Sequence, residues 1–178
     1  MLHTLPYSEI YLFADDATLF RHITQDSDKT ALQKGVNALL EWSQERFLKV
    51  NASNCMVMSF GRNVEKSYTC NILENSQIKP LVWTDHIKDL GILLDERLSF
   101  RDHINDKINK AFSMLGIIKR NFKHLTIQSF TMLYNNMVRY HLDYCSSVWS
   151  PYTKKDIEAL EKVQKRATKI LPKLNHMN

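Results

Sequence analysis

Tyr11-Leu12-Phe13-Ala14-Asp15-Asp16-Ala17-Thr18-Leu19-Phe20 sets two adjacent carboxylates between two short apolar runs. Ile10 to Phe13 and Ala17 to Phe20 have strand length, and aspartate is a common turn residue, so residues 9–23 predict a hairpin with acids at its tip. Burying even one ionised carboxylate requires a compensating partner, so an Asp doublet beside apolar strands reads either as a solvated turn or as a cation site. Outward from the hairpin, Leu32, Val36, Leu39, Leu40, Ser43 and Phe47 recur near a 3.6-residue period behind the cap candidates Asp26 and Ser27. That spacing predicts a helix over 28–47 with one apolar face.

From Cys55 to Asp95 the pattern shifts to short β-like runs: Met56 to Phe60, Tyr68 to Leu73, Ile78 to Trp83, and Ile87 to Leu94 around Gly91. Glu74-Asn75-Ser76 can close one hairpin, and Gly61-Arg62-Asn63 can end the strand before it. After Ser99 the reading is helical. Ser99 with Asp102 fits a capping box ahead of Ile104, Ile108, Ala111, Phe112, Leu115, Ile118 and Phe122. Thr126 can cap a helix carrying Ile127, Phe130, Leu133, Tyr134 and Met137. Thr153 with Asp156 can cap another carrying Ile157, Leu160, Val163, Ala167 and Ile170, which Pro172 ends. The expected organisation is α+β: an antiparallel sheet with a packed helix over 1–98, then an all-α domain over 99–178.

Composition narrows the classes. The chain has 178 residues, 44% hydrophobic and 24% charged, with four glycines and four prolines, which excludes a disordered tail or a long flexible linker. No window approaches the ~18 uninterrupted apolar residues of a membrane span, and Met1-Leu2-His3-Thr4-Leu5-Pro6 lacks a signal-peptide pattern. The expectation is therefore no membrane and an intracellular location, nucleus or cytoplasm. Cys55, Cys70 and Cys145 are odd in number and far apart, so neither a disulfide framework nor a zinc site is expected, and His103, His124 and His141 show no ligand spacing. No Ser-His-Asp order, P-loop or GxGxxG occurs. Residues 1–100 hold 10 Lys/Arg against 13 Asp/Glu, a net of −3, whereas residues 101–178 hold 14 against 6, a net of +8. A basic C-terminal half suits a polyanion, and Lys154, Lys155, Lys162, Lys165, Arg166 and Lys169 could track phosphates or simply face solvent.

The Phe13-Ala14-Asp15-Asp16 run resembles the [YF]-A-D-D catalytic hairpin of reverse transcriptases. The likeness continues in order to about Leu174. Leu39-Leu40-Glu41-Trp42, Leu48-Lys49-Val50-Asn51 and Val57-Met58-Ser59-Phe60-Gly61-Arg62 resemble the helix and strand behind that hairpin in non-LTR, jockey-like LINE retrotransposon polymerases. Lys88-Asp89-Leu90-Gly91-Ile92-Leu93-Leu94-Asp95, with Leu98-Ser99-Phe100 and His103-Ile104, is similar to the primer grip. Arg139-Tyr140-His141-Leu142-Asp143-Tyr144-Cys145-Ser146-Ser147-Val148-Trp149-Ser150-Pro151 and Leu160 to Ile170 resemble the helical thumb.

The resemblance implies part of a right-hand polymerase palm followed by a thumb, from an RNA-directed DNA polymerase. It implies Asp15 as a catalytic metal ligand, with Asp16 supporting it, for Mg²⁺ or Mn²⁺. Phe13 falls next to the primer terminus, Leu90 and Gly91 at the turn that steers the primer, and Lys162, Lys165, Arg166 and Lys169 on the nucleic-acid side of the thumb. The implied partners are an RNA template, a DNA primer and, in the complete enzyme, dNTP. Two positions depart from the pattern. Asn54 stands where the family carries a lysine able to assist the leaving pyrophosphate, and Glu45-Arg46-Phe47 where it carries a second tryptophan. The fingers and the first palm aspartate have no counterpart in the chain, so the expectation is no polymerase activity from it alone. Two other readings stay open: a non-catalytic nucleic-acid-binding module using the basic helices, and a decayed insertion without activity.

Overall fold

The structure, a computed structural model, describes residues 7–62, 66, 68–74 and 77–170. Asn75, Ser76, Asn63 and Pro172, and with them three of the expected turns and stops, lie outside the described residues, as does the N-terminal run Met1 to Pro6. The chain mixes helix with short strands in small sheets, mostly antiparallel, which is an α+β composition. It divides into two units, Met1–Asp85 and His86–Asn178. Residues 86–98, read from the sequence as part of the first domain, cluster with the helices of the second.

In the first unit, β1 (Glu9–Phe13) pairs antiparallel with β2 (Asp16–Phe20) from Glu9↔Phe20 to Phe13↔Asp16. The following helix α1 (Asp26–Glu45) starts two residues earlier than the periodicity suggests. Its N-cap is Gln25, not Asp26 or Ser27, because Asp28 accepts from the Gln25 and Thr24 backbone N–H groups and closes a capping box. The same carboxylate binds Arg21 at the end of β2, with Nη2 at 2.8 Å and Nε at 3.2 Å. Arg21 and these donors hold the Asp28 carboxyl far below the ordinary carboxylate range. The guanidinium also donates to the Tyr7 carbonyl, so one side chain ties both ends of the hairpin to the helix start. Gly35 makes room on α1, since a Cβ there would lie 2.7 Å from the buried Ser8 Oγ. The apolar face stops before Phe47, which is 96% exposed and at positive φ instead of on the expected stripe.

The β-like middle is more fragmented than its runs suggest. Only Met56–Val57 (β3) forms from the first run, and it pairs in parallel with Val82–Trp83 (β6). Asn71–Glu74 (β4) and Gln77–Pro80 (β5) form an antiparallel pair. The Gln33 side chain on α1 donates to the Asn71 carbonyl and accepts its N–H, acting as one more strand partner. Among the described residues every sheet has two strands, so the single antiparallel sheet expected from the sequence is replaced by separate pairs.

The second unit opens with β7 (His86–Asp89) and β8 (Ile92–Asp95), an antiparallel hairpin. Helix α2 (Arg101–Asn121) follows, and its stripe of Ile104, Ile108, Ala111, Leu115 and Ile118 is buried as the spacing predicts, while Phe122 is exposed. Ser99 is not its cap. The N-cap position is Phe100 in the left-handed region, and Asp95 accepts from the N–H groups of Arg97, Ser99 and Phe100 and from the Ser99 hydroxyl. Asp102 instead faces His86 at 3.2 Å.

Thr126 caps α3 (Ile127–Leu133) through a reciprocal pair with Ser129. The helix then widens into a π segment, Tyr134–Arg139, before α4 (Tyr140–Asp143). Phe130, Tyr134, Val138 and Leu142 face the core at intervals of four, which a regular helix would lose by about 40° per step. The wider π turns hold that face, so Val138 and Leu142 are buried; Ile127, ahead of the π segment, is exposed and not on the expected stripe. A short helix α5 (Ser146–Trp149) carries Trp149, 1% exposed. Thr153 caps α6 (Lys154–Thr168) by accepting the Asp156 N–H, and Val163 and Ala167 complete the core.

Candidate functional site

The Asp doublet sits where the hairpin reverses. Ala14 and Asp15 are the two turn residues, and Asp16 opens β2. Of the two turn residues only Ala14 has positive φ, 52°, the signature of a type II′ turn at a position that favours glycine. A Cβ held there costs about 1 kcal/mol or more. Both aspartates are exposed, and neither has a hydrogen-bond or ion-pair partner among the described residues. Two carboxylates at consecutive positions, one in the turn and one at the start of β2, are thus open to a ligand from solution. Phe13 beside them is 62% exposed, with Tyr11, Leu12 and Phe20 also open. Among the described residues no third His, Cys, Asp or Glu joins the doublet. Asn54 closes a 3₁₀ turn, Ala52–Asn54, whose start is capped by the Asn51 side chain.

In the second unit, Leu90 and Gly91 form the turn of the β7–β8 hairpin, with φ of 44° and 82°. Positive φ at both positions makes it type I′, which matches the strand twist and suits Gly91 far better than Leu90. Tyr144, just after α4, and Lys107 of α2 reach the turn, and His103 of α2 reaches the strand leaving it. The Tyr144 hydroxyl donates to the Leu90 carbonyl at 3.0 Å, and its Cε1 lies 3.5 Å from where a Cβ on Gly91 would stand. Lys107 Nζ sits 5.5 Å above the Tyr144 ring and makes a long 3.5 Å contact to the Gly91 carbonyl. The Leu93 N–H donates to Nδ1 of the buried His103 at 3.0 Å. His103 is therefore neutral with its proton on Nε2. Burial pushes its pKa down, with Lys107 and Lys110 reinforcing this and Asp106 opposing it. Burial likewise lowers the Lys107 ammonium.

The basic residues of α6 share one side. At 100° per residue, Lys154, Lys155, Lys162, Lys165 and Arg166 fall within an arc of about 120°, and Lys169 at the helix end continues it. All six are exposed, opposite the buried Val163 and Ala167. Arg166 stacks over Phe112 at 5.4 Å, and Lys165 pairs with Glu161 at 3.4 Å, so these two are also held within the fold.

The sequence reading named Leu90 and Gly91, set His103 in the same primer-grip stretch and Tyr144 in the thumb, but gave neither a hold on the hairpin and missed Lys107. His103 and Lys107 are one turn apart on α2, polar positions inside an apolar stripe, and that is the signal that could have found them. No family model and no solved structure match the chain. A stretch of 83 residues, 47% of the chain, is 32% identical to an uncharacterized protein of Caenorhabditis elegans. The match spans 41% of that relative's length, so the chain covers about two fifths of it.

Proposed function

We propose that the chain is part of an RNA-directed DNA polymerase of the non-LTR retrotransposon type, with palm residues in the first unit and thumb residues in the second. The observation that carries this reading is the β1–β2 turn, where Asp15 and Asp16 are exposed, without partners among the described residues, on a backbone held at positive φ by Ala14. Strain of this kind persists where the surrounding structure fixes a working geometry. Two carboxylates fit Mg²⁺ or Mn²⁺ that takes its other ligands from water and substrate phosphates. When bound, such an ion neutralises the charge developing on a transferred phosphoryl group. Asp15 and Asp16 supply the oxygen ligands, and the open Phe13 ring offers a face on which a terminal base can stack.

The test has two readouts. Mn²⁺ added with dNTP and an RNA-templated primer should broaden the amide signals of residues 13–17, and Asp15→Ala with Asp16→Ala should remove that broadening. In a longer polymerase carrying this segment, Asp15→Ala should abolish primer extension. Broadening that survives the double substitution would remove the metal role.

A second reading, a non-catalytic nucleic-acid-binding module, is favoured by the one-sided α6 and by the charge of the second unit, where His86 to Asn178 holds 16 Lys/Arg and 9 Asp/Glu. On this reading duplex affinity falls steeply with salt whatever stands at 15 and 16. Replacing Lys162, Lys165 and Arg166 with Gln should flatten the log–log salt slope by about 0.9 for each phosphate that is no longer neutralised. A slope unchanged by the three substitutions would exclude α6 as the binding face.

A further inference from the structure

The run from Tyr140 to Trp149 is the densest aromatic stretch of the second unit, yet none of its residues belongs to the sites above except through the β7–β8 turn. Tyr144 lies 54 residues from Leu90 in the chain and donates to its carbonyl at 3.0 Å. The Tyr144 carbonyl in turn accepts from Trp149 Nε1 at 2.8 Å. The Trp149 indole meets the His103 ring edge-on at 5.2 Å between centroids, and His103 Nδ1 accepts the Leu93 N–H on the strand leaving the turn. This is a closed circuit from one side of the turn to the other through two helices and an aromatic pair. Lys107, only 8% exposed, seals it by lying over the Tyr144 ring and beside the Gly91 carbonyl. A two-stranded hairpin is marginal alone, and here its tip also carries a leucine at positive φ. The conformation holds because the circuit over-determines it.

We propose that Tyr144 and Lys107 are positioning residues that fix the Leu90–Gly91 turn from behind, so that its outer edge presents one rigid backbone surface to a nucleic-acid strand. The inference rests on the polymerase reading for the identity of the strand, but not for the clamp itself. Neither residue needs to touch the strand. A Cβ on Gly91 would find room in ordinary van der Waals contact with the Tyr144 ring, but any side chain there would meet strain from its φ of 82°.

The experiment uses the full chain and a short RNA–DNA primer–template hybrid with a photoreactive nucleotide at the primer 3′ end. Tyr144→Phe and Lys107→Met are compared with wild type and with Tyr152→Phe, an exposed tyrosine away from the turn. Amide exchange over residues 89–92 should rise about tenfold in Tyr144→Phe. Crosslinking to residues 90 and 91 should fall severalfold, while exchange in α6 and overall hybrid affinity stay at wild-type values. Tyr152→Phe should change none of these. Exchange that stays at the wild-type rate in both variants overturns the clamp. Faster exchange with no crosslink to the turn even in wild type overturns the nucleic-acid role and leaves the clamp standing. Should Lys107→Met fail to fold, Tyr144→Phe alone decides.

Discussion

At position 14 a methyl group sits where a hydrogen would be easier. Ala14 at a φ of 52° keeps the reversal between Phe13 and Asp16 to two residues, and in doing so puts one carboxylate in the turn and the next at the start of β2. Ala14→Gly should therefore stabilise the first unit by about 1 kcal/mol, read as a higher urea midpoint at unchanged slope. If the substitution destabilises instead, the turn is not strained. The hairpin and the place of its acids are legible in the sequence because apolar runs flank an Asp pair. The strain is not legible, since alanine carries none of the signal that glycine gives a turn. Leu90 is the same case, while Gly91 marks its turn openly. Lys107 hides for another reason. Its charge removes it from any count of apolar positions, although its stem and ammonium are packed against Tyr144 and the hairpin.

Among the elements, α2 was the most readable, because five aliphatic residues at helical spacing leave one solution. Its beginning was not. Ser99 looks like a cap, but its own hydroxyl and N–H, with the N–H groups of Arg97 and Phe100, are drawn to the Asp95 carboxylate, and the helix starts one residue later. Burial pulls the Asp95 carboxyl upward, yet the Ser99, Phe100 and Arg97 N–H groups outweigh it and leave its pKa lowered. His103 makes the docking of β8 on α2 sensitive to acid. Its Nδ1 can accept the Leu93 N–H only while neutral, and its folded pKa lies below the ordinary value near 6.5. The unfolded chain then binds the extra proton more readily, so this contribution is complete above about pH 6.5 and is lost as the pH falls below it. Urea midpoints of wild type should drop over that range, and those of His103→Asn, which keeps an acceptor without the titration, should not. A parallel decline in both would assign the acid sensitivity elsewhere. Asp28 and Asp95, whose pKa values are lowered as well, lose their contributions only at still lower pH, through and below the ordinary carboxylate range near 3.8.

On the scale of the whole chain, the apolar core is unevenly shared. The buried cluster from Ile92 through Trp149 to Ala167 lies wholly within the second unit, whereas the first unit buries Leu40, Val57, Cys70 and Ile72 and relies on polar ties such as Arg21–Asp28 and Gln33–Asn71. A fragment of residues 86–178 should unfold cooperatively by itself, seen as one sigmoidal melt and dispersed amide signals. A fragment of residues 99–178 should be less stable, because it lacks Ile92, Leu94 and the Leu93 bond to His103. Equal stability of the two would contradict the grouping of β7 and β8 with the helices. The change of composition near Ser99 marks where helices begin, but cohesion is decided by what packs on what, and that is set by partners distant in sequence. The same holds for β3 and β6, whose parallel pairing joins segments about 25 residues apart that no local pattern could connect.

The π segment gives the second unit a fixed phase. The segment's residues sweep about the angle that one fewer would sweep in an ordinary helix, so removing one residue between Tyr134 and Arg139 would restore regular hydrogen bonds and leave everything downstream close to its present phase. Leu142 would keep its place in the core, and Tyr144 its reach to Leu90. The irregular turn thus works as a slack link: it absorbs one residue of chain length within the helix, whereas the same deletion in a regular stretch would turn everything downstream by about 100° and uncouple the helix from the hairpin it serves.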